Sequence, residues 1–151
     1  MVVVLAHGED AFRLVNSAGN DVGWIRSKAI GFGEFVTEAD ARDAALDGGR
    51  ALAGCLKREF GVGHPALSDA PTLRTVRDGA GEWIVDGRER VARLLRREPG
   101  RDGAGRFAIE FALPSYATDA VAINAAQIVY GALSPGLTGG LDPHVVASVV
   151  T

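Results

Sequence analysis

Histidine, cysteine and glycine residues occur in this sequence without the spacings that catalytic or metal sites need. His7, His64 and His144 lie far apart, and no two of them have the i, i+4 spacing that places two ligands on one helix face. Cys55 is the single cysteine, so by itself it makes neither an internal disulfide nor a thiolate metal site. The glycines form neither a dinucleotide-binding pattern nor a phosphate loop. We therefore predict no catalytic constellation, no metal and no cofactor.

Glu110 is the carboxylate that comes nearest to a chemical role. It lies in the segment Phe107–Leu113, where large apolar residues alternate with small or charged ones. This period of two predicts a half-buried strand with Glu110 on the face opposite the apolar side chains. If that face is covered, Glu110 becomes a candidate general acid or base, and if it is open, Glu110 lies on the solvated side of a sheet. We expect the open face, so an enzyme with a pocket around Glu110 is our third hypothesis.

Residues 88–106 are strongly basic, with seven arginines against three acidic residues, a net charge of +4. If residues 88–97 form a strand, some of these arginines project from a sheet near a tryptophan. Arginine beside an exposed aromatic ring is the composition of single-stranded nucleic-acid platforms. A solvated basic strand that discourages edge-to-edge aggregation explains the same composition, and we prefer it. The candidate binding residues are Arg90, Arg93, Arg96, Arg97, Trp83 and Trp24.

Two parts of the chain align with each other without gaps. The segment Thr37–Ala45 matches Thr118–Ala126, and the match continues to Leu52 and Leu133, with one threonine, five alanines and a leucine identical. Upstream of each segment, apolar runs are separated by turn signals such as Asp-Gly, which is typical of hairpins. Each part is therefore predicted to be a meander of about four strands followed by one helix.

These patterns predict an α+β protein of two tandem units of antiparallel β-meander plus helix, related by a pseudo-two-fold axis. We assign a single domain, 1–151, with halves 1–60 and 72–133, a linker 61–71 and a C-terminal tail 134–151. Four strands and a helix, given twice, resemble the architecture of Whirly-type single-stranded DNA-binding proteins. The resemblance covers most of the chain in element order only and includes no motif of that family, so it assigns no residue a role.

The two helices are predicted from their ends and their spacing. The first runs from Glu38 to about Phe60, begins with a capping-box-like Thr37, and contains a Gly48-Gly49 pair that indicates a close crossing over the sheet or a kink. The second runs from Asp119 to about Leu133. Residues 88–97 also fit an amphipathic helix, but the alignment of the halves favours a strand, which we predict.

The second helix has almost no polar face, and a helix that is apolar all round must be covered on all sides. We expect a second subunit to cover it, with Ile123, Ile128 and Tyr130 in a homodimer interface. The alternative is that the tail segment Leu141–Val150 folds back over the helix.

Composition limits the functional classes. The chain of 151 residues is 47% hydrophobic and 23% charged, which excludes disorder as its main state. A net charge of −3 gives no long-range attraction for polyanions. The apolar run Met1–Ala6 is shorter than the ~7–15-residue core of a secretory signal, and Ala120–Leu133 is shorter than the about 20 residues of a membrane span. We therefore expect a soluble, cytoplasmic protein.

The functional hypothesis that follows is non-catalytic. We expect a homodimer that binds a protein partner or a small ligand in the concavity between its sheet and its helices. Single-stranded nucleic-acid binding through the segment Arg88–Arg106 is the second hypothesis, ahead of the enzyme.

Overall fold

The computed structural model describes residues 3–6, 11–16, 19–60, 72–97, 106–133 and 148–150. Within them the chain forms nine strands and two helices, which confirms the predicted α+β class. The elements are β1 Val3–Ala6, β2 Ala11–Val15, β3 Asp21–Arg26, β4 Ala29–Phe35, α1 Glu38–Phe60, β5 Leu73–Asp78, β6 Gly81–Asp86, β7 Glu89–Arg97, β8 Arg106–Ala112, α2 Asp119–Leu133 and β9 Ser148–Val150.

All described strands belong to one sheet with the order β5-β6-β7-β8-β4-β3-β2-β1-β9. Neighbouring strands are antiparallel, except that β9 runs parallel to β1. The last strands of the two meanders, β4 and β8, pair in the middle, so along the chain each meander runs from the outside of the sheet toward its centre. The two-fold relation between the halves stays a prediction.

The segment that fitted both a helix and a strand is a strand. β7 pairs with β6 on one side and with β8 on the other. In the β6–β7 hairpin Asp86 pairs with Glu89, which leaves Gly87 and Arg88 as the turn residues. Gly87 has a φ of 62° and Arg88 is not in the left-handed region. A positive φ at only the first turn position is the pattern of a type II′ turn, so the Asp-Gly signal marked the hairpin one residue early.

Both helices begin at the predicted residues, each directly after one of the two aligned threonines. Thr37 Oγ1 accepts a hydrogen bond of 3.0 Å from the backbone N–H of Asp40, and Thr118 Oγ1 accepts one of 3.2 Å from that of Val121. Each bond satisfies one of the N–H groups that the first turn of a helix leaves without a partner. The two aligned threonines therefore play the same local part in α1 and α2.

The core lies between the sheet and the two helices. Alternate residues of the strands turn apolar side chains toward α1 and α2, as the period of two requires. Gly48 marks a close crossing: a Cβ atom there would lie 2.7 Å from Cζ of Phe111 on β8. The largest fully buried side chains are Tyr130, Phe32, Phe35, Phe111, Leu14, Ile30, Leu52, Leu56, Ile84 and Ile109.

The expectation that a second chain must cover α2 is corrected by this packing. Within the single chain Tyr130 is 1% exposed and Ile123 is 8% exposed, and α1, β3 and β4 are the described elements that α2 contacts most. Ile128 is partly buried against the same core. Of the tail, only Ser148–Val150 is described, and it pairs with β1. A homodimer therefore stays a prediction, but the apolar surface of α2 no longer supports it.

Neither described helix has both the length and the apolarity to cross a membrane.

An ionic cluster joins β5, β6, β7 and α1 on the helix side of the sheet. Glu82, nearly buried, accepts hydrogen bonds from Arg77 and, at 2.8 and 2.9 Å, from Nε of Arg96. Arg96 also contacts Glu38 in the first turn of α1 at 3.0 Å. Hydrogen bonds from Arg96 and then from Arg77 hold the pKa of Glu82 below its ordinary value.

We expect Glu82→Gln to lower the free energy of unfolding by about 2 kcal/mol at neutral pH, because it removes charge-assisted hydrogen bonds. A carboxyl group whose pKa is lowered by folding stabilises the folded state at pH values above its unfolded-state pKa of about 4.3. This stabilisation is lost as the pH falls through the folded-state pKa. The difference between wild type and variant should therefore shrink below about pH 4. Urea unfolding at several pH values measures it, with the exposed Glu89→Gln as control. Equal stability of wild type and Glu82→Gln at neutral pH would contradict this account.

Candidate functional site

The face of the sheet opposite the two helices, called here the outer face, carries a row of residues that stand directly opposite one another on seven strands, from β2 to β5. We call it the transverse row. The register pairs Arg13 with Trp24, Trp24 with Gly31, Gly31 with Glu110, Glu110 with Arg93, Arg93 with Trp83, and Trp83 with Val76. Cross-strand neighbours of this kind have Cβ atoms about 4.5–5.5 Å apart, so adjacent members can interact.

Trp24 lies over Gly31, because the glycine leaves room for its ring. A Cβ atom on Gly31 would lie 1.9 Å from Cε2 of Trp24, so no other residue fits there without moving the indole. The indole N–H donates a hydrogen bond of 2.7 Å to Oε2 of Glu110. Arg26 completes the group, with Nε 3.6 Å from the same oxygen and its guanidinium 5.5 Å from the ring centre of Trp24. Glu110 is therefore on the outer face, as predicted, but its side chain is only 15% exposed, so the expectation of an open, solvated position is wrong.

Trp83 is the second tryptophan of the transverse row, and two arginines lie beside its ring. The guanidinium carbon of Arg90 lies 4.2 Å from its ring centre, and that of Arg93 lies 5.9 Å away. Asp78 accepts hydrogen bonds from Arg90 at 2.5 Å and from the indole N–H at 3.4 Å. A hydrogen bond from the backbone N–H of Ala80, followed by the charge of Arg90, lowers the pKa of Asp78. In the described part of the chain, no carboxylate lies within ion-pair distance of Arg93.

The predicted binding arginines divide between the two faces. Arg90 and Arg93 are three residues apart and would alternate, but a bulge at Val91 places both beside Trp83. Arg96 is three residues further on with no bulge between, so it lies on the helix side, where it contacts Glu82 and Glu38. The expectation that Arg96 shares the face of the tryptophans is therefore wrong. The side chain of Arg97 lies outside the described residues.

A depression of about 350 Å³ lies on the outer face beside Trp83. Its lining combines small and apolar side chains with charged ones, including Ala29, Ala112, Arg90, Arg93 and Glu110. Small-molecule sites usually have volumes of about 300–1,000 Å³.

Two other crevices lie between the helices and the sheet. One, of about 240 Å³, is lined in part by Phe12, Lys28 and Asp119, and the other, of about 250 Å³, in part by Arg42 and Leu73. Both are smaller than the outer-face depression, because α1 and α2 pack directly on the core. The expected concavity between sheet and helices is therefore not the largest of these three spaces.

The remaining chemical candidates do not join this site. Cys55 is fully buried in α1, and burial raises the pKa of its thiol, which opposes formation of a thiolate. His7, His64 and His144 lie outside the described residues. Among the residues that are described, no group of three or more His, Cys, Asp or Glu side chains could hold a metal ion.

Comparison with known proteins adds no relative to this picture. No protein-family model matches the sequence, and no curated protein and no solved structure matches it.

The sequence analysis identified Trp24, Trp83, Arg90 and Arg93 as candidate site residues, but it missed Gly31. A glycine between Ile30 and Phe32 in a strand signals a close approach over the backbone, and that signal was available.

Proposed function

We propose that this protein is a non-catalytic binding protein that holds a small anionic molecule with a flat ring in the depression on the outer face. The observation that carries the proposal is that the Trp83 ring lines this depression together with the guanidinium groups of Arg90 and Arg93. Both tryptophans of the chain lie on that face, and each has an arginine guanidinium within 6 Å of its ring centre. Indole rings and guanidinium planes stack on flat rings, and guanidinium groups bind carboxylates and phosphates.

Arg93 is the residue best placed for the anionic group of the ligand. Arg26 and Arg90 each have a carboxylate partner, Glu110 and Asp78 respectively. Arg93 lines the depression and has no such partner among the described residues. A guanidinium without an internal carboxylate keeps its full capacity for charge-assisted hydrogen bonds to a ligand.

The experiment uses the two indole N–H signals of the protein in a ¹H–¹⁵N NMR spectrum. Trp24→Phe and Trp83→Phe assign them, since there are only two tryptophans. Titration with 1-naphthyl phosphate, a flat ring with one phosphate, should shift the Trp83 signal in a saturable way. Signals that stay in place at millimolar probe would overturn the proposal.

Arg93→Ala should weaken binding of 1-naphthyl phosphate about five- to tenfold, the effect of losing one charge-assisted hydrogen bond. The matched control is Arg50→Ala, which removes an exposed arginine from α1 on the opposite side of the sheet. Equal weakening by both substitutions would mean that the probe responds to net charge and not to this site.

Single-stranded nucleic acid is a second candidate, favoured by the separation of the tryptophans. β3 and β6 are four strand spacings apart, so the backbones of Trp24 and Trp83 are separated by roughly 19 Å. One ring cannot stack on both, whereas a chain of bases can. The net charge of −3 opposes this ligand. Tight oligonucleotide binding that weakens steeply with salt, beside weak binding of 1-naphthyl phosphate, would favour it.

A further inference from the structure

The negative charge of Glu110 has no part in the ring stacking or the anion binding proposed above. Glu110 is a carboxylate in the middle of an arginine-rich face, at the edge of the depression and directly opposite Arg93 in the register. A site built only to attract an anion would place no negative charge there, because that charge repels the ligand. Its position therefore requires a separate reason.

The carboxylate has room for more hydrogen bonds. An ionised carboxylate has about four acceptor positions. Among the described residues, the hydrogen bond to Glu110 comes from Trp24 and uses Oε2, while Arg26 stays at ion-pair distance. Oε1 and part of Oε2 are thus available to a donor that enters the depression. Because Trp24 and Arg26 hold the carboxylate, it offers these acceptors in a fixed direction.

We propose that Glu110 selects ligands whose flat ring carries adjacent N–H donors at its edge, of which guanine is the common example; this inference rests on the proposed function. Guanine presents a ring N–H beside an amino group, and both can donate to one carboxylate. Adenine presents an amino group beside an acceptor nitrogen, which faces a negative oxygen without a proton between them. The ring edge would bind Glu110 while the phosphate binds Arg93.

The test compares guanosine 5′-monophosphate (GMP) with adenosine 5′-monophosphate (AMP) by the indole N–H shifts. We expect wild type to bind GMP about tenfold more tightly than AMP, the effect of one further charge-assisted hydrogen bond. Glu110→Gln retains an oxygen for the indole N–H of Trp24 but replaces the other acceptor with a donor. It should abolish the preference or reverse it toward AMP, and 1-naphthyl phosphate should bind the variant and wild type alike.

A purely structural part for Glu110 gives a different result. If its task is only to hold Trp24, Glu110→Gln weakens GMP, AMP and 1-naphthyl phosphate by the same factor, and that outcome would overturn the inference. Trp24→Phe removes the indole donor and keeps the carboxylate, so it should retain the GMP preference even if overall affinity falls. Equal affinity of wild type for all three probes would reject the inference while the proposed function stands, whereas no binding of any probe would reject both.

Discussion

Replacing Gly48 with leucine is expected to lower the free energy of unfolding by at least about 3 kcal/mol, the upper part of the usual range for overpacked cores. α1 crosses the sheet so closely at this point that even a Cβ atom would lie 2.7 Å from Cζ of Phe111 and 3.2 Å from Cδ2 of Leu133. Phe111 is fully buried and Leu133 is 2% exposed, so neither can move aside freely. Urea unfolding followed by circular dichroism gives the measurement.

Gly54 provides the control within the same helix. A Cβ atom there would meet only Nη1 of Arg58, at an ordinary contact distance of 3.7 Å. Gly54→Ala should therefore raise the free energy of unfolding by up to about 1 kcal/mol, because alanine is the better helix former. Gly48→Ala should fall between the two. If Gly48→Leu is as stable as wild type, α1 does not cross the sheet at this glycine.

Local patterns predicted both helices and most strands of this fold, whereas β7 was predicted from the alignment of the halves and β9 was not predicted. The alternation around Glu110 predicted β8 and its two faces, and the cap at Thr37 predicted where α1 begins. These signals reside within a few residues of the feature they describe, so a single sequence contains them. Gly48 belongs to the same class, although its sequence context left a crossing and a kink as equal alternatives.

The arrangement of the elements was less accessible, because it depends on residues far apart in the chain. No local pattern indicates that β4 pairs with β8, and without that pair Trp24 and Glu110 are not neighbours. Simple alternation along β7 correctly places Arg93 and Arg96 on opposite faces of the sheet. It would also place Arg90 and Arg93 on opposite faces, and only the bulge in β7 brings these two to the same face. Likewise, the apolar character of α2 could not show that Ile123 and Tyr130 are already buried within the single chain.

Gly31→Val is expected to lower the free energy of unfolding by about 2 kcal/mol. The valine side chain occupies the space of the Trp24 indole, so the ring must leave the sheet and its hydrogen bond to Glu110 breaks. In the Trp83→Phe background, Trp24 is the sole fluorophore, and its emission should move to longer wavelength as the ring enters water. Unchanged emission would mean that the indole keeps its position.

A double-mutant cycle distinguishes two reasons for a glycine at position 31: space for the indole of Trp24, and a backbone requirement of β4. In the Trp24→Ala background no ring covers Gly31, so valine should cost little there or even stabilise β4 through its strand preference, which is worth up to about 1 kcal/mol. The coupling free energy between the two positions should therefore be about 2 kcal/mol. If Gly31→Val costs the same in both backgrounds, the glycine serves the backbone of β4 and not the indole. A large coupling would instead mean that position 31 has no side chain because the indole of Trp24 occupies that space and donates to Glu110. The packing of the core on the other face of the sheet does not require this arrangement.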